Sequence, residues 1–456
     1  MMIKTNIRAN SKISKKLIQS TLAIAMSLSF PFSALVNANS NNISIESMTK
    51  DITFLASDEL NGRASFSKDI DKAATYISQR FQEIGLVPMK GENIFKQTFD
   101  IINIIPKSLS ATINNKAITD NHLSMASTIE NIQWSTKKDF TTHVVGKDDN
   151  MRQVIGSLNQ QGGKHLVLIN SAHAKLFAGY RSYFARGLNK LHLDHQGAII
   201  MILTDDITID SVTVLAKNKI TKQKLTNVVG VLPGKKLKNE IVLYSAHYDH
   251  LGAAPTGEGD VIYNGADDDA SGTTAVINLA QYYAKKGDNA RSLMFSAFTA
   301  EEIGGFGSRY FSQQLNPDDV VAMINIEMIG KPSKFGAGEM WMTGMERSNL
   351  GALLNENLKD KGTEIHQDPY PEQNLFYRSD NATLARLGVP AHSFSSTQLD
   401  KDKHYHQVSD DLASLDLSSM HKVIESLAVA TQSLVDGTVT PTRIDKAKVR
   451  AQGKIY

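Results

Sequence analysis

Two histidines and four acidic residues stand at or just beyond the ends of short apolar runs: His247, Asp267, Glu301, Glu302, Glu327 and His406. Two imidazoles and three carboxylates are the donor set a pair of zinc ions needs when one carboxylate serves both. The remaining glutamate, beside a ligand, is placed to act as a base. Each residue also has an ordinary alternative. A histidine after a strand can be a satisfied loop residue, although Asp249, two positions after His247, could orient its imidazole. The run Asp267-Asp268-Asp269 could simply cap a helix and complement its dipole, and Glu301-Glu302 could be a solvated first turn. Adjacent residues nevertheless project in different directions, so one acid can reach a metal while its neighbour faces water. Glu327 sits in the apolar stretch 321-VAMINIEMI-329, where an unpaired carboxylate is costly to bury and needs a cation or a donor. His406 lies in 404-HYHQVSDD-411, which could be a surface loop. Recurrence of these types at successive strand ends points to a metallohydrolase.

The elements that must position them are short, continuous apolar strands: 228-VVGVL-232, 241-IVLYSA-246, 292-SLMFSAF-298, 320-VVAMINIEM-328 and 388-GVPAHSFS-395. Helical spacing falls between and around them. Ile70, Ala73, Ala74, Ile77, Phe81 and Ile84 form one stripe, stopped by Gly85 and Pro88, and further helices are expected over 271–286, 304–314 and 417–434. Such alternation predicts an α/β fold, a mixed and mostly parallel sheet with helices on both faces. Ligands bind at the carboxyl edge of such sheets, where the candidate residues fall. Between about 101 and 224 the text changes to isolated runs, 166-LVLI-169 and 198-AIIMIL-203, which predict a smaller strand-rich insertion. Its His165, His173, His192 and His195 are irregularly spaced and lack paired carboxylates, so they are expected to be surface residues rather than a second metal site.

Composition narrows the class further. The chain has no cysteine, which excludes disulfides, iron–sulfur clusters, thiolate zinc and a cysteine nucleophile. Residues 1–38 combine a basic start (Lys4, Arg8, Lys12, Lys15, Lys16), an interrupted apolar run and 36-VNA-38, the pattern of a cleaved signal peptide rather than an anchor. Loss of those five basic residues turns the formal charge of +2 into −3, so no nucleic-acid surface is indicated. No other segment is apolar for long enough to span a membrane.

The strings 245-SAHYDHLG-252, 264-NGADDDASGTTAV-276, 299-TAEEIGGFGS-308, 325-NIEMIG-330 and 405-YHQVSD-410 resemble, in order, the five motifs of the co-catalytic zinc aminopeptidase family. That family includes secreted bacterial leucyl aminopeptidases and plasma glutamate carboxypeptidase. The opening 55-LASDELNGR-63 and 84-IGLVP-88 also resemble it. The resemblance implies a zinc exopeptidase fold over 44–105 and 224–440, interrupted at 106–223 by an insertion that more weakly resembles a protease-associated domain. It implies two zinc ions, with Asp267 bridging, His247 and Glu327 on the first, Glu302 and His406 on the second. Asp249 would orient His247, Glu301 would be the general base, and a cis peptide would join Asp267 to Asp268. Two positions depart from the commoner pattern: Glu327 stands where Asp is usual and Asn381 where His is frequent, the latter expected to alter substrate contacts. The expected protein is a secreted or periplasmic monomer that removes N-terminal residues from peptides. A dipeptidase, carboxypeptidase or glutaminyl cyclase on the same scaffold is the alternative, followed by a non-catalytic binding protein of the transferrin-receptor kind.

Overall fold

The computed structural model describes residues 42–456; the expected signal peptide lies outside them. The central strands form where the sequence is uninterruptedly apolar. Arg291–Phe298 and Val320–Ile326 are buried at every position, and Leu237–His247 is buried over its last six residues. Strands covered on both faces have no solvent side to mark with polar residues. In the middle of the large sheet Leu237–His247 runs parallel to Arg291–Phe298 on one side and Val320–Ile326 on the other, and Ala391–Ser395 continues the parallel order. The flanks are antiparallel: Val212–Leu232 pairs with Arg291–Phe298, and Met340–Met342 with Ala391–Ser395. The fold is thus a mixed α/β sheet, parallel through its centre and again at one edge, where Met340–Met342 pairs with Ile365–Gln367.

Helices Ile45–Leu55, Asp69–Ile84, Gly272–Lys286 and Leu417–Ala430 cover one face, sharing a core that includes Phe81, Leu279, Phe295 and Ile424. Asp69–Ile84 ends as its sequence requires, with Gly85 at φ 87°, a left-handed cap that few other residues adopt cheaply. The opposite face carries Phe306–Ser312 and a second core around Phe298, Phe311 and Met323.

Strands Lys96–Ile113 and Val212–Leu232 leave this sheet as two long paired arms, from Lys96↔Val228 to Ile113↔Val212. Both expected insertion boundaries, near 106 and 223, therefore fall inside continuous strands. Beyond the arms lies a separate four-stranded sheet, ordered Leu123–Ser127, Ala198–Leu203, Lys164–Ile169, Thr141–Val145, with helices Met151–Gln161 and Ala174–Ala185. Ile455 joins its core, and Tyr456 packs against it.

Candidate metal centre

His247 is the last residue of its strand, and the two parallel neighbours end at the same edge, sending Glu301–Glu302 and Glu327 into the loops beyond. Ala300 at φ 60° and Met328 at φ 53° are left-handed non-glycine residues beside those acids. Backbone strain of this kind is retained where surrounding structure enforces it, which at a rim of acids suggests function.

The residues converge on Asp268. Its Oδ1 lies 3.1 Å from His247 Nε2, which is also 3.2 Å from Glu327 Oε1. Its Oδ2 lies 3.2 Å from His406 Nε2, which is 3.3 Å from Glu302 Oε2. His250 Nδ1 approaches the same second cluster, 2.9 Å from Glu302 Oε1 and 3.9 Å from Asp268 Oδ2. One carboxylate thus presents each oxygen to a different imidazole–carboxylate group.

The structure brings five of the seven expected residues to this place: His247, Glu302, Glu327 and His406 around Asp268, and Glu301 in the walls of both adjoining cavities. Asp249 is fully buried beneath, but it receives His247 Nδ1 through its backbone carbonyl at 3.1 Å, with its carboxylate 3.7 Å away. That carboxylate instead accepts the Glu301 backbone N–H at 3.1 Å and the Ser65 hydroxyl at 2.9 Å, tying the base loop to the histidine loop.

Asp267 requires correction. It points away from the cluster, accepting from the Gly330 backbone N–H at 2.8 Å and the Thr397 hydroxyl at 2.6 Å, with the Lys331 ammonium 3.3 Å away. The cis peptide correspondingly joins Asp268 to Asp269, one residue later than expected. Asp269 takes the capping role, accepting from the backbone N–H groups of Gly272 and Met328. Three identical side chains in a row carry no mark of which faces the cleft; the turn at Gly265, φ 56°, sets that.

Other contributors also escaped the sequence. His250 was visible as the second histidine of 247-HYDH-250, three residues beyond the first. Arg63, fully buried, donates from Nε to the Tyr248 carbonyl at 2.9 Å and from Nη2 to the Gly265 carbonyl at 3.0 Å, and Nη1 reaches the Leu55 and Asn264 carbonyls. Asp410 accepts the backbone N–H groups of Asp267 and Asp268. These contacts give structural content to the strings 55–63 and 405–410. Asn381, expected near substrate, is instead buried and bonded to the Phe376 carbonyl and the Ser393 hydroxyl, and it lines neither cavity beside the centre. Of the four insertion histidines expected at the surface, His165 is buried instead, 3.1 Å from His143 and 2.8 Å from the Gly162 carbonyl.

The electrostatics state what the centre needs. The Asp268 and Glu302 carboxylates, 3.2 and 3.3 Å from Nε2, push the His406 imidazole up to about 10. Burial opposes charge on His247, yet the Glu327 carboxylate, with Asp249 and Asp268, holds it well above the usual imidazole range. Burial raises Glu301 well above the carboxylate range, and Glu327, Asp380 and Glu302 reinforce that against His247. Clustered carboxylates demand positive charge, from protons or from metal. Metal fits better than protons on one observation. His250 Nδ1, Glu302 Oε1 and His406 Nε2 are buried without hydrogen-bond partners, although Nδ1 and Oε1 lie only 2.9 Å apart. Close approach without hydrogen-bond alignment is what lone pairs converging on a cation produce.

Two cavities flank the centre and share Glu301, Glu302, Arg378, Ser379 and Tyr405. The smaller, 330 Å³, has Met328, Trp341, Leu375 and Leu399 in its walls. The larger, 720 Å³, extends toward the inserted module.

Comparisons with known proteins bear on the family and the fold. Residues 227–431 match the model of peptidase family M28. Leucine aminopeptidase 1 of Neurospora crassa is 27% identical over 211 residues, 42% of this chain and 50% of that protein; its namesake in Pyrenophora tritici-repentis is 28% identical over 212 residues, 43% and 52%. The chain spans about half the length of the curated relatives it matches. Among solved structures, an aminopeptidase from Aneurinibacillus superposes with a TM-score of 0.53 at 17% identity, over 90% of this chain and 97% of that one. A zinc aminopeptidase from Bacillus subtilis gives 0.51 at 17%, over 90% and 99%. The fold is therefore shared with zinc aminopeptidases, and over residues 227–431 the chain carries a domain of peptidase family M28.

Proposed function

We propose that the chain is a secreted, monomeric aminopeptidase that uses two zinc ions and a glutamate base. The observation that carries this reading is Asp268, whose two oxygens face separate ligand groups: His247 with Glu327, and His406 with Glu302 and His250. Zinc at these positions supplies Lewis acidity toward the scissile carbonyl and lowers the pKa of water. Glu301, half-buried between the two cavities, takes the proton of the attacking water and delivers it to the departing amine. Burial of Asp249 against the Glu301 backbone N–H keeps that side chain in place. The apolar walls of the smaller cavity fit the side chain of the N-terminal residue, with Glu301, Glu302 and Glu327 facing its free amine. Secretion rests on residues 1–38, whose cleavage would leave Asn39 as the new N-terminus. Among the described residues no helix is long and apolar enough to cross a membrane.

The test combines bound-metal analysis with turnover of leucine p-nitroanilide and its N-acetyl counterpart. Two zinc equivalents, hydrolysis of the free amine alone, and loss of activity in chelator with recovery on adding zinc are expected. Preferential hydrolysis of the acetylated compound, or full turnover by metal-free protein, would sink the reading.

A further inference from the structure

The larger cavity leads from Glu301 and Glu302 between helix Phe306–Ser312 and the edge of the inserted module, and the C-terminal segment closes it with Gln452 and Tyr456. Five cations line it: Arg186, Lys190, Arg309, Arg378 and Arg386. The only acidic side chains in its lining are Glu301 and Glu302, which face the metal centre. Elsewhere Arg80, Arg291, Arg347 and Arg443 pair with acids. Among the described residues none of the five cavity cations does so.

Their donors go to neutral groups instead. The Lys190 ammonium donates to the Lys454 carbonyl at 3.0 Å, and Arg386 Nε to the Arg450 carbonyl at 3.0 Å. Arg309 Nε and Nη2 reach the carboxamide oxygen of Gln452 at 2.7 and 3.2 Å. Arg378 reaches Gln373 and the Tyr405 hydroxyl. Burial lowers Lys190 to about 8, with Arg309 adding repulsion, and lowers Arg309 to about 10, with Arg386 adding repulsion that the more distant Asp380 carboxylate only partly opposes. Partly desolvated cations that repel one another and have no acid within ion-pairing distance are stabilised by an anion in the cavity. An aminopeptidase already fixes the direction of its substrate. The N-terminal residue occupies the smaller cavity, so the part beyond the scissile bond must leave through the larger one.

We propose that this basic cavity binds a carboxylate on the departing part of the substrate, so that short peptides with a free C-terminus or an acidic residue after the first position are preferred. The inserted module contributes Arg186 and Lys190, and thereby takes part in choosing substrates. The inference rests on the aminopeptidase reading.

It is tested by kcat/KM for matched peptides: Leu-Gly-Gly against its C-terminal amide for the α-carboxylate, and Leu-Asp-Gly-amide against Leu-Asn-Gly-amide for the side chain. Leucine p-nitroanilide, which carries no carboxylate, is the reference. At least one pair should favour the carboxylate by about tenfold, the scale of one charge-assisted contact of about 1.4 kcal/mol. The preference should fall toward unity in Lys190→Gln and in Arg309→Gln. Whichever pair responds identifies the source of the carboxylate. Hydrolysis of the p-nitroanilide with ratios near one for both pairs in the unaltered protein would overturn the cavity assignment alone. Absence of p-nitroanilide hydrolysis in zinc would overturn the aminopeptidase reading, and this inference with it.

Discussion

Asp267 and Asp268 carry the same side chain one residue apart, and the structure gives them opposite work. Asp268 faces His247 and His406, whereas Asp267 neutralises Lys331, which also contacts Asp402 and Asp410 in the loop that carries His406. Asp268→Asn should therefore bind less than one zinc per chain and lose activity, because an amide cannot supply two anionic oxygens. Asp267→Asn should keep two zinc ions and lose about 1–3 kcal/mol of stability, since a buried charge-assisted contact is weakened. Metal content by elemental analysis and urea denaturation read both; the reverse pattern of metal loss would restore Asp267 as the bridge. Glu301→Gln should retain both ions and fold normally, with kcat reduced by a factor of about 100 or more, as expected for loss of a base. Unchanged turnover would remove that assignment. At this scale the sequence revealed residue types and approximate positions, because metal chemistry restricts them. It could not reveal which of three adjacent aspartates turns inward, nor that His250 is folded back against Glu302, since both depend on a turn closed by contacts distant in sequence.

The strands that carry the site were legible because burial on both faces leaves an unbroken apolar run. The arms were not. Val212–Leu232 alternates buried and exposed positions through 212-VTVLAKNKI-220, so only its apolar end, 228–232, stood out. Met340–Met342 and Ile365–Gln367, at three residues each, are too short to carry a period. Between elements, Arg63 holds the segment before the central sheet to the two loops bearing His247 and Asp268. Arg63→Met removes donors from four carbonyls and should cost about 3 kcal/mol or more. Because three of those carbonyls, of Tyr248, Asn264 and Gly265, belong to the ligand loops, zinc affinity should fall as well. Denaturant midpoints of the chelated protein isolate the first effect, and competition with a zinc indicator the second. Stability within about 0.5 kcal/mol of the unaltered protein would show that Arg63 is incidental, as ordinary surface substitutions are.

At the scale of the whole molecule, the proposed ligands come from separate places along the chain, at 247–250, 268, 302, 327 and 406, and the strands between them must be assembled before the oxygens of Asp268 can face both groups. An unfolded chain offers no comparable site, so zinc should bind the native state selectively and raise its stability by mass action, about 2.7 kcal/mol per ion when free zinc is 100 times its Kd. Removing zinc also leaves the clustered carboxylates Asp268, Glu302 and Glu327 to be balanced by protons on His406 and His247 in place of two divalent cations. Chelation should accordingly lower the thermal midpoint by several degrees, and titrating zinc back should recover it in proportion to the logarithm of free metal once the sites are filled. His250→Ala should shift the recovery of the second site to higher zinc while leaving the first in place, because His250 faces only the Glu302 and His406 group. Differential scanning calorimetry at fixed free zinc measures this directly. A midpoint indifferent to zinc, with removal and rebinding verified by elemental analysis, would mean that the cluster is held by the fold alone and that metal binds without energetic coupling to it.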